Sequence, residues 1–184
     1  MNVRRVVTGH DASGKSVFVS DETVAPVEPL LLPAAEFHTL WGGDSTPQFP
    51  DDGAKPEFRT YYPPVGGFRF GMFSIPPETT AAPSGVDVEA AIADVEAKLP
   101  GLLGYLDRTD PGMHTTDTID FEVVLEGTVV LELDDGAEVT LQPGDTVVQN
   151  GTRHRWRNPG NTTARLALFI CGANHANVPP IQSP

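Results

Sequence analysis

Cysteine is nearly missing from this sequence. Cys171 stands alone, so no internal disulfide can form, and its place in an apolar run suits a reducing compartment. Basic residues are scarce too: 12 Lys and Arg against 25 Asp and Glu leave a formal charge of −13. A surface this acidic repels phosphate backbones and anionic lipid, so neither nucleic acid nor a membrane is expected as a partner. No apolar run approaches the roughly 20 residues that a membrane helix needs. The opening MNVRRVVTGHD also lacks the apolar stretch of a signal peptide, and a cytoplasmic location is expected. Nothing matches a phosphate-binding glycine loop, a serine-nucleophile elbow or a CxxC site. There is no internal repeat and no low-complexity tract.

What is abundant is punctuation. Eighteen glycines and 18 prolines in 184 residues break the chain into short runs, which predicts one turn-rich, all-β domain. Val3–Thr8 and Ser16–Ser20 flank a turn carrying Asp11 and Gly14 and read as a hairpin, followed by a Pro-rich extended stretch over 21–36. Phe37–Trp41 is a possible strand, 42–58 a loop, and Phe68–Ile75 a strand stopped by Pro76-Pro77. From Asp120 on, strand follows strand: Phe121–Glu126, Thr128–Leu133, Ala137–Leu141, Thr146–Gln149, His154–Arg157 and Ala164–Ile170. Asp134-Asp135-Gly136 and Pro143-Gly144-Asp145 mark turns. One helix is expected, over 87–99, with Val88, Ile92, Val95 and Leu99 drawing an apolar stripe and Pro100-Gly101 ending it. Its acidic face, Glu89, Asp94 and Glu96, reads as solvated surface.

Alternation sorts two of these stretches by face. His114 and Thr116 share one side of the chain, as do His154, Trp156 and Asn158, while Arg153, Arg155 and Arg157 take the opposite side. In a closed barrel the histidines belong inside with the tryptophan, and the arginines outside among the many acids.

Two stretches resemble the paired signature motifs of the cupin superfamily. In the first, His114-Thr115-Thr116 stands where the family has a His-x-His pair, and Asp120 takes the place of the family's glutamate, seven residues before Gly127. In the second, Gly144-Asp145, Gly151, His154 and Asn158 follow the family's order. Thr116 replaces the second histidine, Asp120 the glutamate and Gln149 the usual proline. His114, Thr116, Thr118, Ile119 and Asp120, with Gly151, Thr152, His154, Trp156 and Asn158, further resemble a subgroup of single-domain cupins that includes accessory oxidoreductases of natural-product gene clusters. The resemblance implies a jelly-roll-like β-barrel over 58–172, with 1–57 as a hairpin and Pro-rich arm packing on the barrel or on a partner subunit, and 173–184 as an extended tail. It also implies a homodimer, since cupins commonly dimerise.

For the site, the resemblance implies His114, Asp120 and His154 as a two-histidine, one-carboxylate set holding a divalent ion such as Fe, Mn, Ni or Zn. The alternative is a pair of hydrogen-bonded, metal-free histidines lining the barrel. Thr116, a weak ligand, would bond a metal-bound water or leave space for substrate. Strict alternation puts Glu122 on the face of Asp120, inside, where burial would raise its pKa and suit it to proton transfer. A bulge after Asp120 would turn it outward. Arg69, a lone cation in an apolar strand, either clamps a substrate carboxylate or lies on the solvated face. Trp156 walls a pocket or is plain core. His10, His38 and His175 read as surface or packing residues. The expected function is a metal-dependent enzyme acting on a small, largely apolar carbonyl, enol or phenolic compound; oxidoreductase and lyase chemistry (dehydration or decarboxylation) both fit, with oxidoreductase slightly favoured. The alternative is a metal-free barrel that binds a small molecule without catalysis.

Overall fold

A computed structural model describes residues 2–81 and 85–176. The expected C-terminal tail lies outside the described residues from 177 on. The chain opens with an antiparallel hairpin, β1 (Val3–His10) and β2 (Ser16–Val24). Its turn closes on Asp11, whose carboxylate accepts from the backbone N–H groups of Ser13 and Lys15, a local bond that short polar side chains make readily.

Two sheets follow. Five strands, β3 (Phe37–Gly43), β4 (Phe68–Ile75), β10 (Ala164–Gly172), β5 (Thr118–Glu126) and β8 (Thr146–Asn150), lie side by side in that order. Three more, β7 (Glu138–Leu141), β6 (Val129–Glu132) and β9 (Arg155–Arg157), form the facing sheet. All named strand pairs are antiparallel. The architecture is the all-β jelly roll that the strand spacing and the motifs predict. β3 precedes residue 58 and still forms the edge of the larger sheet, because Phe37 and Leu40 are buried against it.

Val124, Val129, Leu131, Leu141, Ala164 and Leu166 close one end of the space between the sheets. The strand entering β6 turns at Gly127, whose φ of +77° and position against Ala164 leave no room for a side chain: a Cβ would sit 2.8 Å from Ala164. At the other end Ala35, Phe37, Val95, Leu99 and Leu102 pack together and carry the helix, α1 (Val88–Lys98), capped by the Asp87 carboxylate.

The helix buries a different stripe from the one expected. Ala91, Val95 and Leu99 face inward, while Val88 and Ile92 are 65% and 47% exposed. Alanine at 91 presents the narrow surface that lets the helix approach. Asp94, read as solvated, accepts from the Leu30 N–H, and Lys98 donates to the Glu28 carbonyl. Two residues of the helix thus tie down the Pro-rich arm. The three arginines of the second motif do lie outside, each among acids: Arg153 with Asp107, Asp110 and Asp134, Arg155 with Asp110 and Glu132, and Arg157 with Glu78, Glu132 and Glu138.

Candidate functional site

Between the two packed ends lies a cavity of about 270 Å³. Its floor is β5. The burial of that strand alternates without interruption from Thr118 to Val124, placing Asp120 and Glu122, each 6% exposed, on the inner face and Phe121 and Val123 outside. The one irregularity in the β5–β10 ladder falls at Leu125, past Glu122, so no bulge turns the glutamate outward.

His114 and His154 form a second wall. Each donates its backbone N–H to the other's carbonyl at 2.9 Å, and this mutual bridge sets the imidazoles side by side, ring centroids 4.1 Å apart. The same local device orients both rings. His114 Nδ1 lies 3.1 Å from the Gly112 carbonyl and His154 Nδ1 lies 2.9 Å from that of Thr152. A carbonyl only accepts, so each Nδ1 carries the proton and each Nε2 is the acceptor in the neutral ring. Burial holds both rings neutral, lowering His114 and pushing His154 down to about 3, where the neighbouring His114 adds to the effect.

The carboxyl groups shift the other way. Burial raises Asp120 to about 6, against a lowering bond from the Thr118 hydroxyl. Burial raises Glu122 to about 8, and the charge of Asp120 adds to it. Asp120 Oδ1 and Glu122 Oε2 are buried with no hydrogen-bond partner, a costly condition unless something in the cavity meets them. Both shifts favour the protonated carboxyl group, more strongly at Glu122 than at Asp120.

The remaining walls are apolar and aromatic. Trp156 lines the cavity and meets Phe73 and His154 edge-on. Leu31, Leu32, Tyr61, Tyr62, Leu102 and Leu106 cover it. Burial, with the charges of Asp120 and Glu122 behind it, pushes the Tyr61 hydroxyl well above its usual range. The cover is positioned from several directions. Tyr61 N–H donates to the Pro100 carbonyl at the end of the helix. Gly172 lets the Pro63-Pro64 segment press on β10 so closely that a Cβ there would lie 1.9 Å from the Pro64 oxygen.

Two expected substrate contacts do not line this cavity. Thr116 is buried beside it, its hydroxyl bonded to Thr118 Oγ1 at 2.7 Å. Arg69 is neither a clamp nor a solvated residue. It is 3% exposed, and all five of its N–H groups are engaged: Nε and one Nη2 bond with Thr60 O, Nη1 with the Gly43 and Phe68 carbonyls, and the other Nη2 bond with Asp44. Its guanidinium braces the 43–60 loop, because only an arginine supplies that many donors from one position.

Gln149, which stands in the place of the family's proline, has a task of its own. Its Nε2 donates to Thr152 O at 3.3 Å, the same carbonyl that receives His154 Nδ1–H. Asn158 closes the next turn by donating to Ile75 O and Thr162 O and accepting from Gly160 N–H. Tyr61, Tyr62 and the leucines of the cover escape sequence reasoning, since loop residues follow no period. The Tyr-Tyr-Pro-Pro run is the one local signal that a rigid aromatic segment lies there.

The donor types for a divalent ion are present: two neutral imidazoles and an unpartnered carboxylate oxygen share one cavity. Among the described residues, however, no three His, Cys, Asp or Glu side chains converge closely enough to hold an ion. As they stand, His114, Asp120 and His154 do not fit a closed three-ligand centre.

The family model for the cupin domain matches residues 107–171. Oryzines biosynthesis cluster protein J of Aspergillus oryzae is 46% identical over 66 residues, which is 36% of this chain and 37% of that protein's length. Phomopsin biosynthesis cluster protein C' of Diaporthe leptostromiformis is 31% identical over 90% of this chain and 76% of its own. A cupin-domain-containing oxidoreductase of Aspergillus ruber, fogC, is 26% identical over 96% of this chain and 75% of its own.

Proposed function

The chain belongs to the cupin family, and from that premise we propose that it is an enzyme of proton transfer, acting on a small, largely apolar carbonyl, enol or phenolic compound. The observation that carries this reading is the pair of buried carboxyl groups with unpartnered oxygens, Asp120 and Glu122, side by side on the floor of an apolar cavity. Asp120, ionised above about 6, takes a proton from the carbon beside the substrate carbonyl, while Glu122, protonated below about 8, gives one to the developing oxygen anion. The neutral imidazoles offer Nε2 acceptors to a substrate hydroxyl. Returning the proton at another carbon gives a tautomer. If the substrate carries a hydroxyl beyond that carbon, Glu122 takes its proton back from the enol oxygen and passes it to the hydroxyl as it leaves, and the products are water and an unsaturated carbonyl compound. Either way the two carboxyl groups exchange the same proton count that they began with, and no electrons are gained or lost.

The test is exchange of solvent deuterium into a panel of apolar ketones and phenols by chelator-treated protein, beside Glu122→Gln. Exchange that the variant loses supports the reading. Exchange absent from both, or present only with added metal, overturns it.

The paired imidazoles favour a second reading, a metal-dependent oxidoreductase in which His114, His154 and Asp120 would have to draw closer together to hold Fe, Mn, Ni or Zn. The name carried by the Aspergillus ruber relative adds weight to it. Elemental analysis of untagged protein beside His154→Ala separates the two: near-stoichiometric metal that the variant loses favours the oxidoreductase. A barrel that binds without catalysis would show ligand affinity with no exchange and no metal.

The working form proposed is a homodimer in the cytoplasm. Supporting the dimer, Phe70, Phe169, Phe121 and Val148 are exposed register neighbours in one row across the outer face of the larger sheet. An exposed row of that kind on a single chain normally marks an interaction surface. No helix of the described residues is long and apolar enough to cross a membrane.

A further inference from the structure

The cavity has a charge character that narrows its substrate. Among the described residues that line it there are two carboxyl groups, two imidazoles whose Nδ1–H groups are committed to backbone carbonyls, and no lysine or arginine. The nearest candidates for a compensating cation are occupied elsewhere. Arg69 has every N–H bonded to loop carbonyls or to Asp44. Arg153, Arg155 and Arg157 point to the other face of their strand, each paired with two or three acids. An anionic group entering this space would lose its hydration beside Asp120 and Glu122, with no lysine or arginine on the wall to offset their charge. The same two residues present unpartnered acceptor oxygens, which a hydroxyl group can satisfy by donating to them.

We propose that the cavity selects by charge: it takes an uncharged, hydroxyl-bearing apolar compound and rejects the corresponding carboxylate or phosphate. This deepens the proton-transfer reading and rests on it, since a resident cation would supply the positive charge that the chain itself withholds. The selection has a chemical consequence. A free carboxylic acid is ionised at neutral pH, so removal of carbon dioxide from such a substrate falls outside what these walls accept, whereas enolisation or loss of water from a neutral hydroxy carbonyl compound falls within it. The reaction that supplies the substrate must then deliver it with any acid group already reduced, esterified or removed.

The test is calorimetric titration of chelator-treated full-length protein at pH 7 with two probes of the same shape, naphthylmethanol and naphthoate. The alcohol should bind at least about 30-fold more tightly, a difference of about 2 kcal/mol. In an Asp120→Asn, Glu122→Gln double variant the gap should close, chiefly because naphthoate gains affinity. Naphthoate binding to wild type as tightly as the alcohol overturns the proposal, and so does binding by neither probe, because a cavity open to neutral apolar molecules must take the first. Repeating the titration with zinc present keeps the two readings apart. If naphthoate overtakes the alcohol only with zinc, the metal-free reading fails while the charge selection of the chain's own residues stands.

Discussion

The two faces of the five-stranded sheet invert the usual rule. On β5 the inner face carries Asp120 and Glu122, buried, and the outer face carries Phe121, Val123 and Leu125, exposed. β10 repeats the outer half with Phe169, 40% exposed beside Phe121 at 43%. Burying carboxyl groups and exposing phenylalanine both cost free energy in an isolated chain, so each departure implies something that meets it. The comparison teaches where to look: inside for a ligand that meets unpartnered oxygens, outside for a second apolar surface. The end of the barrel around Leu166, where apolar side chains are buried in the ordinary way, supplies the stability that lets both faces depart.

The strongest way to break the comparison is on the inner face. Glu122→Gln removes the proton donor with little change of shape, and turnover should fall by about 10²–10⁴-fold in a solvent-exchange assay. Activity in the wild type should follow a bell between about pH 6, where Asp120 ionises, and about pH 8, where Glu122 loses its proton.

On the outer face, Phe169→Asp should raise the dimer dissociation constant by about 100-fold or more, roughly 3 kcal/mol, as read by light scattering. Wild type is expected at twice 19.7 kDa, and ligand affinity in the cavity should be unchanged. A monomeric wild type at every concentration would leave the exposed row without the partner proposed for it.

Stability against pH sharpens the contrast further. Both inner carboxyl groups have folded pKa values above their unfolded ones, so between about pH 4 and 8 the folded state holds more protons than the unfolded one. Their contribution is greatest at acid pH and is lost as pH climbs through the folded values. Melting curves should therefore show the wild type losing ground to the Asp120→Asn, Glu122→Gln variant between pH 5 and 8, by roughly a few kcal/mol in all. The smallest effect expected is at Gln149→Leu. Loss of its bond to Thr152 O should cost about 1 kcal/mol by thermal melt and broaden the His154 ring signals in NMR.

Much of this was legible in the residues. The strand spacing after Asp120 and the turn signals predict the jelly roll, and alternation alone places Asp120 with Glu122 and separates His154 from its flanking arginines. What escaped has physical reasons. The helix stripe went astray because Ala91 carries little hydrophobic weight in a periodic count, yet its small size is what permits close packing. Arg69 looked available because its partners, Gly43, Asp44 and Thr60, come from loops whose path no local pattern reveals. The cover over the cavity, Tyr61-Tyr62 with Leu31, Leu32 and Leu102, is assembled from three distant segments, and the sheet's use of β3 depends on the same long-range packing. Thr116 sits in motif position, buried and with its hydroxyl bonded to that of Thr118.

The central claim is that Asp120 and Glu122 share one proton at neutral pH inside an apolar cavity. Carbon-13 NMR titration of the side-chain carboxyl groups, on chelator-treated protein with Asp120→Asn and Glu122→Gln for assignment, tests it most directly. The account predicts that the pair loses its protons in two steps with apparent values near 6 and 8. Two carboxyl groups both ionised below pH 5 would contradict it.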